Sequence, residues 1–407
     1  MPSVFKTDAT VISLVGFAHG TSHFYHLMLP PLFPWLMSEY SLSYTQVGAL
    51  MTVFFVVSGI GQALAGFLVD RWGSHRVLCL GISLLTTSGI LVALAPGLAG
   101  LYLAAFTAGL GNSVFHPADY ALLNHRVSQA RLGHAFSVHG LSGNIGWALG
   151  PLLMTTTATA FGWRSAGLVA ALAGATSLVS LWWKRAELSN EPAGDLPGRG
   201  THRKGSSVRL VTVLKLRLTW LAFSFFFFST LVFGALQNFG PSLLRDLYGL
   251  SLAAATSGLT AYLIGSAAGL VAGGFLTSAA GNQEKLIGFC FFGSAALALL
   301  LAFSVVPPWS VIPIMSVMGF GVGLVGPSRD MLVRQSAAAR LGTGAFGRIY
   351  GLVYSGLDVG LAAAPLIFGM LMDAHEALFV FVGVSIALVL AIIAAQAVAI
   401  EARQTAR

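Results

Sequence analysis

Apolar residues run in long blocks along this chain, each closed by a short cluster of glycine, proline or charge, and nowhere in the alternation that a half-buried strand shows. A helical bilayer crossing takes about 20 predominantly apolar residues. Twelve such blocks can be placed, at 10–37, 44–69, 77–95, 98–124, 134–160, 164–183, 212–238, 250–277, 285–305, 309–333, 346–372 and 376–399. The connections are short except after residue 183, where Pro192, Gly194, Pro197, Gly198 and Gly200 mix with charged side chains and mark a flexible linker. The expected organisation is an N-terminal six-helix bundle over 1–183, a cytoplasmic linker over 184–211 and a C-terminal six-helix bundle over 212–407.

The halves repeat at an offset of 208 to 214 residues. Gly66-Phe67-Leu68 returns as Gly274-Phe275-Leu276, and Asn144-Ile145-Gly146 with Gly150-Pro151-Leu152 returns as Asp358-Val359-Gly360 with Ala364-Pro365-Leu366. The fold class expected is therefore an all-α integral membrane protein with twelve transmembrane helices in two pseudo-symmetric six-helix bundles. Parallel repeats of this kind build one large class of secondary transporters, which makes transport the leading expectation.

Composition narrows this further. Charged residues are 9% of the chain and apolar residues 56%, against roughly 25% charged in a soluble domain. With the N-terminus in the cytoplasm, all but two of the 22 lysines and arginines fall on the inner side, Arg164 and Arg245 being the exceptions. The positive-inside rule thus predicts that both termini are cytoplasmic. The formal charge of +8 follows from that asymmetry and calls for no nucleic-acid partner. The first apolar run is too long for a signal peptide and is interrupted by His19 and His23, so it is expected to stay as a helix. Cys79 and Cys290 stand alone in their helices without metal-type spacing. No Gly-x-x-x-x-Gly-Lys loop occurs, which disfavours ATP-driven transport, and no catalytic constellation is present, so no enzyme activity and no cofactor are expected.

Gly66-Phe-Leu-Val-Asp70-Arg71-Trp-Gly73-Ser-His-Arg76, between the second and third blocks, resembles the cytoplasmic signature loop of the major facilitator superfamily. The resemblance implies a latch that holds the outward-facing state. There Asp70 would sit against the positive end of a helix, Arg71 and Arg76 would bridge to carboxylates or lipid phosphate, and Gly66 and Gly73 would permit close packing. The copy near 274–284 lacks the acid and the arginines. The first-block histidines, Gly111-Asn112-Ser113-Val114-Phe115-His116-Pro117 and the Gly140–Pro151 run resemble the fosmidomycin-resistance branch. Three departures are visible: Ala118-Asp119 where the branch has Glu after His-Pro, His23 where it has an acid, and no arginine in the fourth block. The Gly140, Gly143, Gly146, Gly150 and Pro151 series also partly resembles an antiporter motif, which implies export.

Ionisable side chains at membrane depth are expensive and so face a bundle interior or cavity. His19, His23 and His26, at spacings of four and three, share one helical face with Ser22 and run from roughly 13 to 24 Å into the core. His116 and His139 lie nearer the cytoplasmic side and could converge with them. The set could bind substrate or carry protons, histidine titrating near pH 6.5 when unperturbed. Each could instead be a neutral histidine bonded between helices, and His116 could satisfy groups freed by Pro117. Nothing in the spacing predicts a metal site. Asp358 stands near the midplane in the register of Asn144, so the repeat sets a titratable acid opposite an amide, and both are candidate binding residues. Arg329 and Asp330 form a possible gate or a structural ion pair, and Gln237, Asn238 and Tyr262 could add hydrogen bonds.

The expectation is a monomeric, proton-coupled exporter of a small polar or anionic compound in the bacterial inner (cytoplasmic) membrane, its partners being that small molecule, protons and the lipid bilayer. A proton-linked importer of a small carboxylate, or a transport-inactive membrane sensor, would carry the same general pattern.

Overall fold

The computed structural model describes residues 4–188, 215–279, 282–341 and 346–405. Among them there are helices and turns and no strands. The chain divides into two compact units, Met1–Leu196 and Pro197–Arg407. Residues 189–214, most of the expected linker, fall outside the described residues, as do Ala280 and Gly281 of the second-half signature copy.

The first unit comprises α1 (Val4–His26), α2 (Phe33–Tyr40), α3 (Tyr44–Trp72), α4 (Ser74–Leu94), α5 (Leu98–Asn112), α6 (Phe115–Arg126), α7 (Leu132–Phe161), α8 (Trp163–Trp183) and the short α9 (Arg185–Leu188). The second holds α10 (Arg217–Tyr248), α11 (Leu252–Ala279), α12 (Gln283–Ala302), α13 (Val311–Leu341), α14 (Phe346–Asp373) and α15 (Ala377–Thr405). Ten spans among the described residues are long and apolar enough to cross a membrane, α5 and α6 counting as one, Leu98–Arg126. Of the twelve expected spans, α1 and α7 are the two not among these ten. These two carry most of the intramembrane histidines, and that polarity sets them apart from the rest.

Several expected boundaries differ. The first span is broken after His26: a 3-10 turn, Pro30–Leu32, joins α1 to α2, because successive prolines at 30 and 31 withdraw two backbone donors. The fourth is broken at Ser113 and Val114, which leaves Pro117 in the first turn of α6, where its missing N–H costs nothing. The signature segment is not a loop. Helix α3 runs through Asp70 and Arg71 to Trp72, and the link to α4 is Gly73 alone, at φ +82°, a left-handed conformation that glycine adopts without strain. A Cβ on Gly66 would meet no atom of the described residues within 4 Å.

Close helix contact is made elsewhere by small residues, as in membrane bundles generally. Helix α7 lies so near α1 that a Cβ on Gly146 would stand 2.0 Å from the Gly20 carbonyl oxygen. The repeat reproduces this in the second unit. A Cβ on Gly360 of α14 would stand 2.6 Å from the Phe227 carbonyl oxygen of α10.

Outside the spans, the ends of the first unit are tied by charge. Glu39, at the end of α2, pairs with Arg164 at 2.8 Å and accepts a hydrogen bond from the Trp163 indole. That bond and the Arg164 guanidinium hold the Glu39 carboxyl below its ordinary range. At the other end Asp8 accepts from Arg131 at 2.8 Å and Ser128 at 2.6 Å, fixing the start of α1 to the turn before α7.

Candidate functional site

The five predicted histidines converge inside the first unit. His19, His23 and His26 line one face of α1, as their spacing requires, with ring centroids 4.3 Å apart for the first pair and 4.8 Å for the second. From α7, His139 stacks on His19 at 3.6 Å. From α6, His116 stands 5.4 Å from His19 and 6.2 Å from His139. Room for these rings comes from Gly143, one turn after His139, where a Cβ would fall 2.6 Å from His23 Nδ1 and 3.0 Å from His19 Nε2.

At the centre is Asp119, which was not among the predicted site residues. It lies three residues after His116 on α6, hence on the same face, and is fully buried at 0% exposure. Its Oδ2 sits 3.0 Å from His139 Nε2, a hydrogen bond, and 3.2 Å from His19 Nδ1. The second contact is close but lacks hydrogen-bond geometry, which leaves His19 Nδ1 buried without a hydrogen-bond partner; Asp119 Oδ1, the other carboxylate oxygen, is also buried without one. His23 Nδ1 is in the same condition. The carboxylate's ion-pair contacts among the described residues are to histidine only.

His26 belongs to a different network. The Trp147 indole can only donate, and it reaches His26 Nδ1 at 3.3 Å, so the proton of a neutral His26 is on Nε2, which donates to Asn112 Oδ1 at 2.9 Å. Asn112 Oδ1 also accepts from Ser22, and its Nδ2 donates to Ser58 at 2.8 Å. Both nitrogens of His26 are thus occupied in holding α1, α3, α5 and α7 together, the structural role that the sequence left open. His23 lies between the networks, stacked on Trp147 at 4.3 Å. Trp147, Asn112 and Ser58 were also missed. Trp147 could have been found, since 139, 143 and 147 follow one α7 face at intervals of four.

The remaining predicted residues lie apart from this cluster. Asn144 donates to the Gly140 carbonyl of its own helix at 2.9 Å. Asp358 is half-buried on α14, and no hydrogen bond or ion pair joins it to the described residues. The Arg329 guanidinium lies 4.6 Å from the Phe226 ring centroid on α10, while the Asp330 side chain is outside the described residues. Asp70, Arg71 and Arg76 are exposed. Gln237, Asn238 and Tyr262 are buried, with Asn238 donating to the Gly234 carbonyl of its own helix at 2.7 Å.

Ten apolar spans among the described residues, an internal repeat and a polar cluster within the first half are now placed, and residues 12–347 match the family model of the Major Facilitator Superfamily. The chain belongs to that superfamily. It is similar to the fosmidomycin resistance protein of Escherichia coli (strain K12), 26% identical over 303 residues, covering 74% of this chain and 72% of that one. It is also similar to a probable nitrate/nitrite transporter of Mycobacterium tuberculosis, at 25% identity over 97% of this chain and 95% of that one. Its fold resembles a bacterial homologue of the human lysosomal transporter Spinster, crystallised in an inward-facing and occupied conformation, with a TM-score of 0.75 at 14% identity over 97% of each chain. The protein is accordingly a multi-pass membrane transporter of small molecules.

Proposed function

We propose that this transporter is a proton-coupled exporter of a small polar or anionic compound, working as a monomer by alternating access in the bacterial inner (cytoplasmic) membrane with both termini cytoplasmic. The observation that carries this reading is the gathering of His19, His116 and His139 about Asp119, with His23 against His19, inside an apolar bundle. Each polar group at membrane depth costs up to about 3 kcal/mol on insertion scales, and the cluster leaves three buried polar atoms without a hydrogen-bond partner. Local helix packing does not use them, which supports a ligand site.

In this scheme the His–Asp119 cluster is the substrate site and the His26–Asn112–Trp147 network holds it in shape. Asp358 is the proton carrier: a carboxyl with no ion pair among the described residues can be neutral when enclosed and ionised when wetted. The Gly66–Arg76 segment is the conformational latch, and Arg329 with Asp330 acts at the inner end of α13. Similarity to the fosmidomycin resistance protein supports export, and similarity to the probable nitrate/nitrite transporter supports a small anion as cargo.

Flux in proteoliposomes tests the proposal. Under an imposed pH gradient, a labelled phosphonate or small organic anion should move against the direction of the protons. Movement with the protons would instead make the protein an importer, and no flux of any solute would remove the transport reading.

A further inference from the structure

An anion-handling site ordinarily contains a fixed positive charge, and this one has no lysine or arginine paired with its buried carboxylate among the described residues. What it has is nitrogen. One ring nitrogen each of His19, His116 and His139 lie within 4.8 Å of one another, contributed by three different helices. Asp119 Oδ2 already stands 3.0 and 3.2 Å from two of those rings. In a tetrahedral zinc site with donors at about 2.0–2.1 Å from the ion, neighbouring donors are roughly 3.3 Å apart. Of the six separations that four donors define, the two between Asp119 Oδ2 and the His139 and His19 nitrogens are already near that value. The nitrogen–nitrogen separations, up to 4.8 Å, must close by up to about 1.5 Å, and His116, the exposed member of the set, is the ring that would have to move.

We infer that His19, His116, His139 and Asp119 form a binding site for one divalent transition-metal cation of borderline softness, such as zinc or cobalt(II). Imidazole and carboxylate together suit such an ion and not magnesium, which keeps its waters and prefers oxygen. The cation explains two features of the cluster together. It supplies a partner for the otherwise unsatisfied His19 Nδ1, and it turns a site of net charge about −1 into one of about +1 when the imidazoles are neutral. The exposed His116 side is where the ion would enter and where an anion would meet it. The inference rests on the reading of this cluster as a ligand site and gives that site its chemistry.

The experiment is isothermal titration of zinc chloride into the full-length chain in detergent, purified without a histidine tag, with magnesium in excess throughout. The wild type should bind about one equivalent. His116→Ala alters an exposed side chain and spares the bundle, and Asp119→Asn preserves the shape of the carboxylate. Each should weaken binding more than about tenfold, with the thermal midpoint of the metal-free protein recorded to show that the fold persists. His134→Ala and His125→Ala, exposed and outside the cluster, should bind as the wild type does. Should either ligand variant fail to fold, absorption of the cobalt(II) complex of the wild type reads the same question, because a tetrahedral nitrogen and oxygen set differs in its bands from the octahedral aquo ion.

No binding by the wild type, an octahedral cobalt spectrum, or affinity within about threefold of wild type in either ligand variant overturns the site. Failure of the transport reading is separable. Solute flux without zinc binding removes the metal and leaves the transporter, whereas zinc binding without flux of any solute keeps the site and removes transport.

Discussion

The two halves of this molecule share a way of packing and differ in what they pack. In the first, α7 lies against α1 through Gly146 and Gly20; in the second, α14 lies against α10 through Gly360. Yet the first half fills its interior with the ionisable His19, His139 and Asp119 beside Asn112, while α10 brings Phe225, Phe226 and Phe239, each 0% exposed, with the neutral amides Gln237 and Asn238, and α14 adds the half-buried Asp358. A repeat therefore transmits helix placement, which depends on small residues at a few contacts, without transmitting chemistry, which depends on the side chains that those contacts leave room for.

The largest effects should come from the shared element. If packing is what repeats, Gly146→Ala and Gly360→Ala should damage the fold alike, by about 1–3 kcal/mol or more, because each new methyl meets a backbone carbonyl that cannot move aside. Gly140→Ala, on the same helix as Gly146 but with no atom within 4 Å of the added Cβ, should leave the thermal midpoint unchanged or slightly raised. Melting curves in detergent compare all three.

Next in size is the chemical difference. Asp119→Asn should lower substrate flux on the order of a hundredfold, through the loss of about 3 kcal/mol in a charge-dependent site, with the protein still folded. Asn144→Ala, in the register of Asp358, should change flux by less than about twofold, because a bond to its own helix is worth only about 1 kcal/mol and touches no site residue. Equal losses in the two variants would dissolve the distinction between cluster and scaffold within the first half.

The smallest expected effect belongs to the outer ends. Glu39 is held below its ordinary value of 4.5 by Trp163 and Arg164, so its contribution is complete above that value and fades as the pH falls through the lower, folded-state value. The pair is partly exposed, at 47% and 38% of the side chains, and so worth less than about 1 kcal/mol. Glu39→Gln should lower the thermal midpoint slightly at pH 7, and the difference should shrink as the pH falls through the folded-state value.

Much of this was legible in the sequence. Spacings of four and three put His19, His23 and His26 on one face, and length with apolarity located the spans. Asp119 was not legible, because it stands close to where the fourth span was expected to end and only the break at Ser113 and Val114 shows how α6 turns it inward. Trp147 was hidden among apolar neighbours, although its interval from His139 is a helical one. Signature-segment resemblance obscured a simpler fact, that α3 continues through Asp70 and needs only Gly73 to turn. His26 could not be assigned until its two partners were placed, since a ring with both nitrogens bonded looks the same in sequence as one awaiting a ligand.

The central claim is that the halves divide the work, with ligand held in the first and the proton carried in the second. Asp358→Asn in proteoliposomes tests it most directly, with substrate exchange measured in the absence of a pH gradient and net flux measured in its presence. The amide keeps the shape and hydrogen bonding of the acid but cannot release a proton, so exchange should persist while pH-driven flux disappears. PH-driven flux that survives in Asp358→Asn and is lost instead in His23→Gln would contradict the claim and place both tasks in the first half.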